Sequence, residues 1–245
     1  MNIEAVVLYT TNDYRFFKVA IENLLACGIK THVVTYSHMW NGTDENEELL
    51  NHSRNLFKDN PNYFQYLINW EPGHKSFYWE AVGRHLGTQE VSDECDYILY
   101  IDIDEIVDVE KCKKFIASKK YANYDCAWLY NYWYFREPIY RANALESTAL
   151  MCSSKLAKNV PFIIESRNAY SNFTNTTILG KEDPFVHHYS WVRTKEEMLK
   201  KVRNWGHNTE RNWEAMVEQE FTHPFYGTDF VHGYSYQIVE NQFNL

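Results

Sequence analysis

The chain has 245 residues, is 45% hydrophobic and 23% charged, and carries only nine glycines and six prolines, which excludes a disordered or fibrous protein and allows one large buried core. Its net charge of −9 argues against a general nucleic-acid binder. The five cysteines are widely spaced without a C-x-x-C pair, which argues against a zinc site and implies reduced thiols in a cytoplasmic protein; no apolar run is long enough for a membrane span.

Along the first half, strands and helices alternate. Ala5-Val-Val-Leu-Tyr9 is a short apolar run of the buried-strand kind, ended by Thr10-Thr-Asn-Asp13. Phe17, Ala20, Ile21, Leu24 and Leu25 then form one apolar helical stripe, with Gly28 as the left-handed residue past its end. Residues 31–36 read as a second strand. Residues 44–57 read as a helix whose early acids Asp44, Glu45, Glu47 and Glu48 suit its positive end. After the Pro72-Gly73 turn, residues 76–86 read as a helix stopped by Gly87. Tyr97-Ile-Leu-Tyr-Ile101 is the strongest strand and runs straight into Asp102-Ile-Asp-Glu105. Residues 111–118 read as helix and 126–130 as strand, whereas between 132 and 180 the period is unclear and short strands with loops are expected. Thr194 opens a late helix through a capping box onto Glu197, with Gly206 as its stop. The alternation predicts an α/β fold: a Rossmann-like, mostly parallel sheet flanked by helices, with a helical C-terminal segment.

An apolar strand ending in three acids within four positions has a physical meaning. Ligands of open parallel sheets bind beyond the carboxyl ends of the strands, and residues two apart on an extended chain point to the same side, so Asp102 and Asp104 converge on one ligand. Two such carboxylates repel unless a cation or proton lies between them, and hard oxygen donors at this spacing suit Mn²⁺ or Mg²⁺, which would bridge the phosphates of a nucleotide. The plain alternative is a solvated acidic loop. Asp183-Pro-Phe-Val-His-His-Tyr-Ser-Trp-Val-Arg193 later sets two histidines between an apolar stretch and the capped helix. Imidazole is a good Mn²⁺ ligand, which makes His188 a third metal ligand, against the alternative of a satisfied core histidine.

Asp96-Tyr-Ile-Leu-Tyr-Ile-Asp-Ile-Asp-Glu105 resembles the D-x-D element of nucleotide-sugar glycosyltransferases of the A-type fold. His188-Tyr-Ser-Trp-Val-Arg193 is similar to the H-Y-G-W-V-R element of their family-2-like members. The resemblance covers residues 1–205 as the catalytic domain and leaves 206–245 as a helical extension packed on it. It implies a metal-dependent glycosyltransferase that moves a sugar from a nucleoside-diphosphate donor to an acceptor hydroxyl. In that reading Asp102 and Asp104 hold Mn²⁺ or Mg²⁺ and the donor, and His188 is the C-terminal metal ligand. Thr10, Thr11 and Asn12 fall where such enzymes contact the base. Lys75, Trp79 and Arg84 fall on the basic helix before the D-x-D strand, where Lys75 or Arg84 would neutralise phosphate or, alternatively, lie on a solvated face. The acid often found after the second strand is missing from Thr35-Tyr-Ser-His38, which leaves the nucleotide open. An inverting member also needs a carboxylate base, with Glu137, Glu146 and Glu165 as its candidates.

Two further stretches bear on the acceptor. The aromatic run Trp128 to Phe135 suits a wall for stacking a sugar or, equally, plain core. Residues 193–211 hold six basic side chains against three acids, with Trp191, Trp205 and Trp213 around them. That stretch is either a solvated amphipathic helix or a nucleic-acid track. The chain also looks like glycosyltransferases encoded by bacteriophages, some of which modify DNA at 5-hydroxymethylcytosine. A glycan or small-molecule acceptor is the leading expectation and hydroxymethylated DNA the alternative. A non-catalytic carbohydrate-binding module is the rival outside the enzymes, and it would keep its affinity without Asp102 and Asp104.

Overall fold

The computed structural model describes residues 1–160, 174–205 and 210–245; Glu165 and Gly206 lie outside the described residues. The first strand, β1 (Ile3–Leu8), is buried at every position. On one side it pairs in parallel with β2 (Lys30–Tyr36), which is extended by β3 (Tyr63–Ile68); on the other it pairs in parallel with β4 (Tyr97–Asp102). A strand with both edges paired and both faces covered is mostly apolar, and Ala5–Leu8 of β1 and Tyr97–Ile101 of β4 read that way. β3 escaped the sequence reading because it is a half-exposed edge strand, with Phe64 and Leu67 facing outward.

Helix α1 (Tyr14–Ala26) covers one face of these strands through Phe17, Ala20, Ile21 and Leu24. Helix α2 (Glu47–Phe57) packs beside it and begins later than its acids suggest, because the Asn46 side chain accepts the Leu49 N–H and caps it. Helix α3 (Ser76–Glu90) covers the opposite face and runs through Gly87 instead of stopping there. A Cβ at Gly87 would collide with Val6 and Val34, and one at Gly83 with Tyr36 and Leu8. Both glycines therefore serve the close approach of helix to sheet.

The rest of the sheet is mixed. In chain order come β5 (Glu105–Val107), α4 (Val109–Ser118), β6 (Cys126–Phe135), β7 (Glu137–Ser153), α5 (Ser154–Ala157), β8 (Thr176–Leu179) and β9 (Val186–Trp191). The path across the sheet is β3-β2-β1-β4-β7-β6-β9-β5, with β8 beside β6. β7 runs antiparallel to β4 and β6, and β5 antiparallel to β9, while β6 pairs in parallel with β8 and β9. The sheet curls: β5, at the far end of this order, packs on the same helix α1 that packs on β2. Where short strands were expected after 132, β7 is a single strand of 17 residues. Register shifts against β6 at Leu129/Tyr130 and Tyr132/Tyr134 break the period of two and hide it from sequence.

Helix α6 (Lys195–Asn204) has the expected Thr194–Glu197 capping box, and helix α7 (Trp213–Glu220) packs against it. Beyond α7 the chain runs through turns into β10 (Tyr236–Ile238), which adds to β7, so one helix serves the whole C-terminal segment among the described residues. Trp213, Val217, Phe225, Phe230 and Tyr236 of this segment share a core with Trp133, Phe135, Trp191 and Met198. No helix among the described residues is long and apolar enough to cross a membrane.

Candidate active site

A cavity of about 480 Å³ opens beyond the carboxyl ends of β1 and β4. Leu8, Tyr9, Thr10, Asn12 and Asp13 line it after β1, Asp102, Ile103 and Asp104 after β4, and His188, Ser190 and Trp191 from β9. This is the end of a parallel sheet at which ligands bind.

Register brings His188 there. Glu105 of β5 pairs opposite His188 of β9, and the Tyr189 N–H donates to the Asp104 carbonyl at 2.8 Å. His188 Nε2 consequently lies 3.5 Å from Asp104 Oδ1. The other oxygen of Asp104 faces Lys201 Nζ at 3.7 Å and the Arg193 guanidinium at 3.9 Å. Burial would raise the Asp104 pKa, but His188, Lys201 and Arg193 together hold it well below the usual carboxylate range. Burial opposes charge on His188 as well, and Asp104 with help from Glu105 and Glu146 raises its pKa regardless. His187, one residue earlier, points to the other face: its Nδ1 bonds the Tyr134 hydroxyl at 2.8 Å and burial pushes its pKa down to about 3. His187 is the core histidine and His188 the cavity one.

The three acids of Asp102-Ile-Asp-Glu105 part company. Asp102 Oδ1 accepts from Arg84 at 2.9 Å, and Arg84 also pairs with Glu80. Glu105 is buried and turns inward, where its Oε2 accepts the Asp102 N–H at 2.7 Å and braces the turn.

The remaining sequence candidates divide. Thr10 and Asn12 line the cavity, and Asn12 Oδ1 is buried there without a hydrogen-bond partner. Thr11 instead gives its N–H and hydroxyl to Glu45, one of the two acids that α2 left out, which pins the loop after β1. Trp79 sits in a core with Leu8, Val34 and Tyr36, and its carbonyl accepts from the Tyr36 hydroxyl at 2.9 Å. Arg84 is buried and holds Asp102. Lys75 is outside the cavity lining, its amine resting over the Phe77 ring. Glu137 is exposed at the start of β7, also outside the lining. Glu146 lies behind the cavity wall, with Oε1 3.3 Å from Nε2 of His232, which does line it.

Of the aromatic run, Trp133 alone reaches the cavity, set edge-on between His188 and His232 at 4.9 Å from each; Tyr134 and Phe135 are core. Trp40, Trp191, Trp205 and Trp213 supply further wall. Four of the six basic side chains of the stretch are engaged, and Lys200 and Arg211 are exposed. Arg193 turns inward onto Asn12, Asp13 and Ser190, Lys201 points into the cavity, and Lys195 and Arg203 pair with Glu218 and Glu214.

No protein-family model and no curated protein matches the sequence. Among solved structures, S. aureus TarS (residues 1–349) in complex with UDP-GlcNAc aligns over 89% of this chain and 70% of its own at 14% identity and a TM-score of 0.48. The 4-diphosphocytidyl-2C-methyl-D-erythritol synthase of Anaerococcus prevotii aligns over 80% of this chain and 94% of its own at 9% identity and a TM-score of 0.48. Rv0371c of Mycobacterium tuberculosis in complex with manganese aligns over 73% and 88% at 9% identity and a TM-score of 0.46.

A divalent cation fits part of this geometry. Asp104 and His188 are suitable donors for Mn²⁺ or Mg²⁺, and their 3.5 Å separation is close to the roughly 3 Å edge between neighbouring ligands of an octahedral ion. His188 Nδ1 faces the inward-turned Glu105 at 4.0 Å, so Nε2 is the nitrogen placed to meet an ion beside Asp104. Among the described residues no three acids, histidines or cysteines converge on one point, so such an ion would take its other ligands from substrate phosphates and water, as Mg²⁺ commonly does.

Of the cavity residues, Lys201 was read only as one of the basic side chains of 193–211, and His232 was not singled out. Lys201 lies in the row Met198-x-x-Lys201-x-x-Asn204, an i, i+3 row that the helix rotation turns to the buried side of α6. His232 had no local signal. It arrives on a loop folded around Asp229, whose carboxylate accepts the N–H groups of Val231, His232, Gly233 and Tyr234.

Proposed function

We propose that the chain is a nucleotide-sugar glycosyltransferase that uses a divalent cation at Asp104 and His188. The observation that supports this reading is their convergence, from two distant motifs, on a cavity at the carboxyl ends of parallel strands. A metal held there would neutralise charge on the departing nucleoside diphosphate. Asn12 Oδ1, buried without a hydrogen-bond partner, offers an acceptor to the polar part of the donor substrate. Trp133 and the other tryptophans exclude water and give the sugar an apolar face to lie on.

In the transfer the bond from anomeric carbon to phosphate oxygen breaks, its electron pair leaving with the diphosphate, while the acceptor oxygen bonds to the anomeric carbon. The acceptor proton goes to His232, whose Nε2–H is oriented by Glu146 and whose Nδ1 carries the free pair. Glu146 is therefore the acid candidate that acts, through His232, at the acceptor side. Four of the six cations of residues 193–211 are inward or paired, which supports a glycan or small-molecule acceptor over DNA. Thermal unfolding with UDP, GDP, CDP and ADP, each with Mn²⁺ or EDTA, tests the donor. One nucleotide at about 100 times its Kd stabilises the fold by roughly 2.7 kcal/mol, and Asp104→Asn removes the Mn²⁺-dependent part. No response to any nucleotide would sink the reading.

A further inference from the structure

Lys201 stands out among the buried charges because its ammonium is not satisfied. Its side chain is only 12% exposed, yet Nζ makes no hydrogen bond among the described residues, and its ion pair with Asp104, at 3.7 Å, is longer than one. Arg193, beside it, is by contrast committed to the Ser190 carbonyl at 2.8 Å, the Asn12 carbonyl at 2.9 Å and the Asp13 carboxylate.

Helix geometry explains why this lysine and not its neighbour is placed so. Met198 and Val202 anchor the buried stripe of α6; Lys201 lies three residues after Met198 and enters the cavity, whereas Lys200 is exposed. The capping box at Thr194 and the packing of α7 hold the helix in that rotation. A lysine carries three N–H donors, and those of Lys201, facing the cavity, are open to the acceptor oxygens of a ligand. The ligand must bring acceptor oxygens to Lys201, fit a cavity of about 480 Å³, and lie beside Asp104 and His188, and phosphate oxygens meet all three demands.

From this we infer that Lys201 is the protein's own cation for a diphosphate, donating hydrogen bonds to its oxygens whether or not a divalent ion is present. The choice of a diphosphate rests on the donor reading above; the anion site rests on the placement of Lys201. A strongly hydrated ammonium on a flexible stem suits this, since it can follow phosphate oxygens as they gain charge on departure.

The test is calorimetric titration of the whole chain with inorganic pyrophosphate and with UDP, GDP, CDP and ADP, in EDTA and in Mn²⁺. Wild type should bind pyrophosphate in EDTA, Lys201→Met should bind it at least roughly tenfold more weakly, and Lys201→Arg should recover part of the loss. Amine labelling read by mass spectrometry gives a second measurement on wild-type protein, independent of how Lys201→Met folds: pyrophosphate should protect Lys201 and leave Lys200 reactive. Equal pyrophosphate affinity in Lys201→Met, unprotected Lys201, or no wild-type binding in EDTA would each overturn the inference. Nucleotide binding that ignores Lys201 would overturn it while leaving the transferase standing. Lys201-dependent pyrophosphate binding without any nucleotide response would instead remove the donor reading and keep the anion site.

Discussion

The parallel strands carry a buried polar cluster at each end, and the two differ in one respect. At the amino end, Glu4 Oε2 accepts from His32 Nε2 at 2.7 Å and from the Ser92 N–H at 3.2 Å, its Oε1 accepts the Ser92 hydroxyl, and His32 Nδ1 accepts from Tyr66 at 3.0 Å. That network is closed, with every side-chain atom of Glu4 and His32 provided for. At the carboxyl end, Asn12 Oδ1 is buried without a hydrogen-bond partner, His188 Nε2 has only Asp104 at 3.5 Å, and the Lys201 ammonium has only a long ion pair. Burial is similar at both ends, so burial is not what marks a site. Buried polar atoms are ordinarily paired, and a group of them left open on one cavity is where a ligand completes the set.

Substitutions at the two ends should therefore separate binding from stability. The largest expected effect is at the open end: Asp104→Asn should lower transfer roughly 100-fold or more and abolish Mn²⁺-dependent nucleotide binding, measured by initial rates and titration. At the closed end, Glu4→Leu strands His32 and Ser92 in the core and should cost about 3 kcal/mol in urea unfolding while nucleotide affinity stays unchanged. If Glu4→Leu weakened nucleotide binding as strongly as Asp104→Asn, the division between the ends would fail. His232→Asn should fall between binding and chemistry, lowering transfer roughly 100-fold while leaving nucleotide affinity as in wild type.

How legible these regions are follows the same division. β1, β4 and α1 could be read in the sequence because burial on both faces of a strand, or along one stripe of a helix, leaves an unbroken pattern. Asp104 and His188 were legible because each stands next to such a strand in a recognisable motif. Lys201 was hidden in a charged run, where a buried lysine looks like its exposed neighbour Lys200 until the helix rotation is known. Asp102 and Glu105 share the motif with Asp104, but the pairing of Asp102 with Arg84 and the inward turn of Glu105 depend on contacts from other elements. His232 and Glu146 meet only through the folding of the C-terminal loop over β7, which no local pattern encodes.

A smaller effect should come from Gly87→Ala. The added methyl meets Val6 and Val34 where α3 crosses the sheet midway between the two clusters. Overpacking there should cost about 1–3 kcal/mol in urea unfolding and leave nucleotide affinity unchanged.

The smallest expected effect is the acid response of the closed end. Burial would raise the Glu4 pKa, but its hydrogen bonds from Ser92 and His32 outweigh that and lower it from the ordinary 4.5. Burial lowers the His32 pKa from 6.5 despite the pull of Glu4, so the folded state holds a neutral imidazole donating from Nε2 and accepting at Nδ1. A group whose pKa is depressed on folding binds protons more readily when unfolded, so each stabilises the fold above its ordinary value and loses that contribution as pH falls. Stability should thus begin to decline below about pH 6.5 through His32 and decline further below about 4.5 through Glu4. His32→Gln keeps a donor and an acceptor without titrating, and its urea midpoint should flatten between pH 6.5 and 5 relative to wild type. An unchanged slope in that variant would assign the acid response to other groups and deny the closed network its part in it.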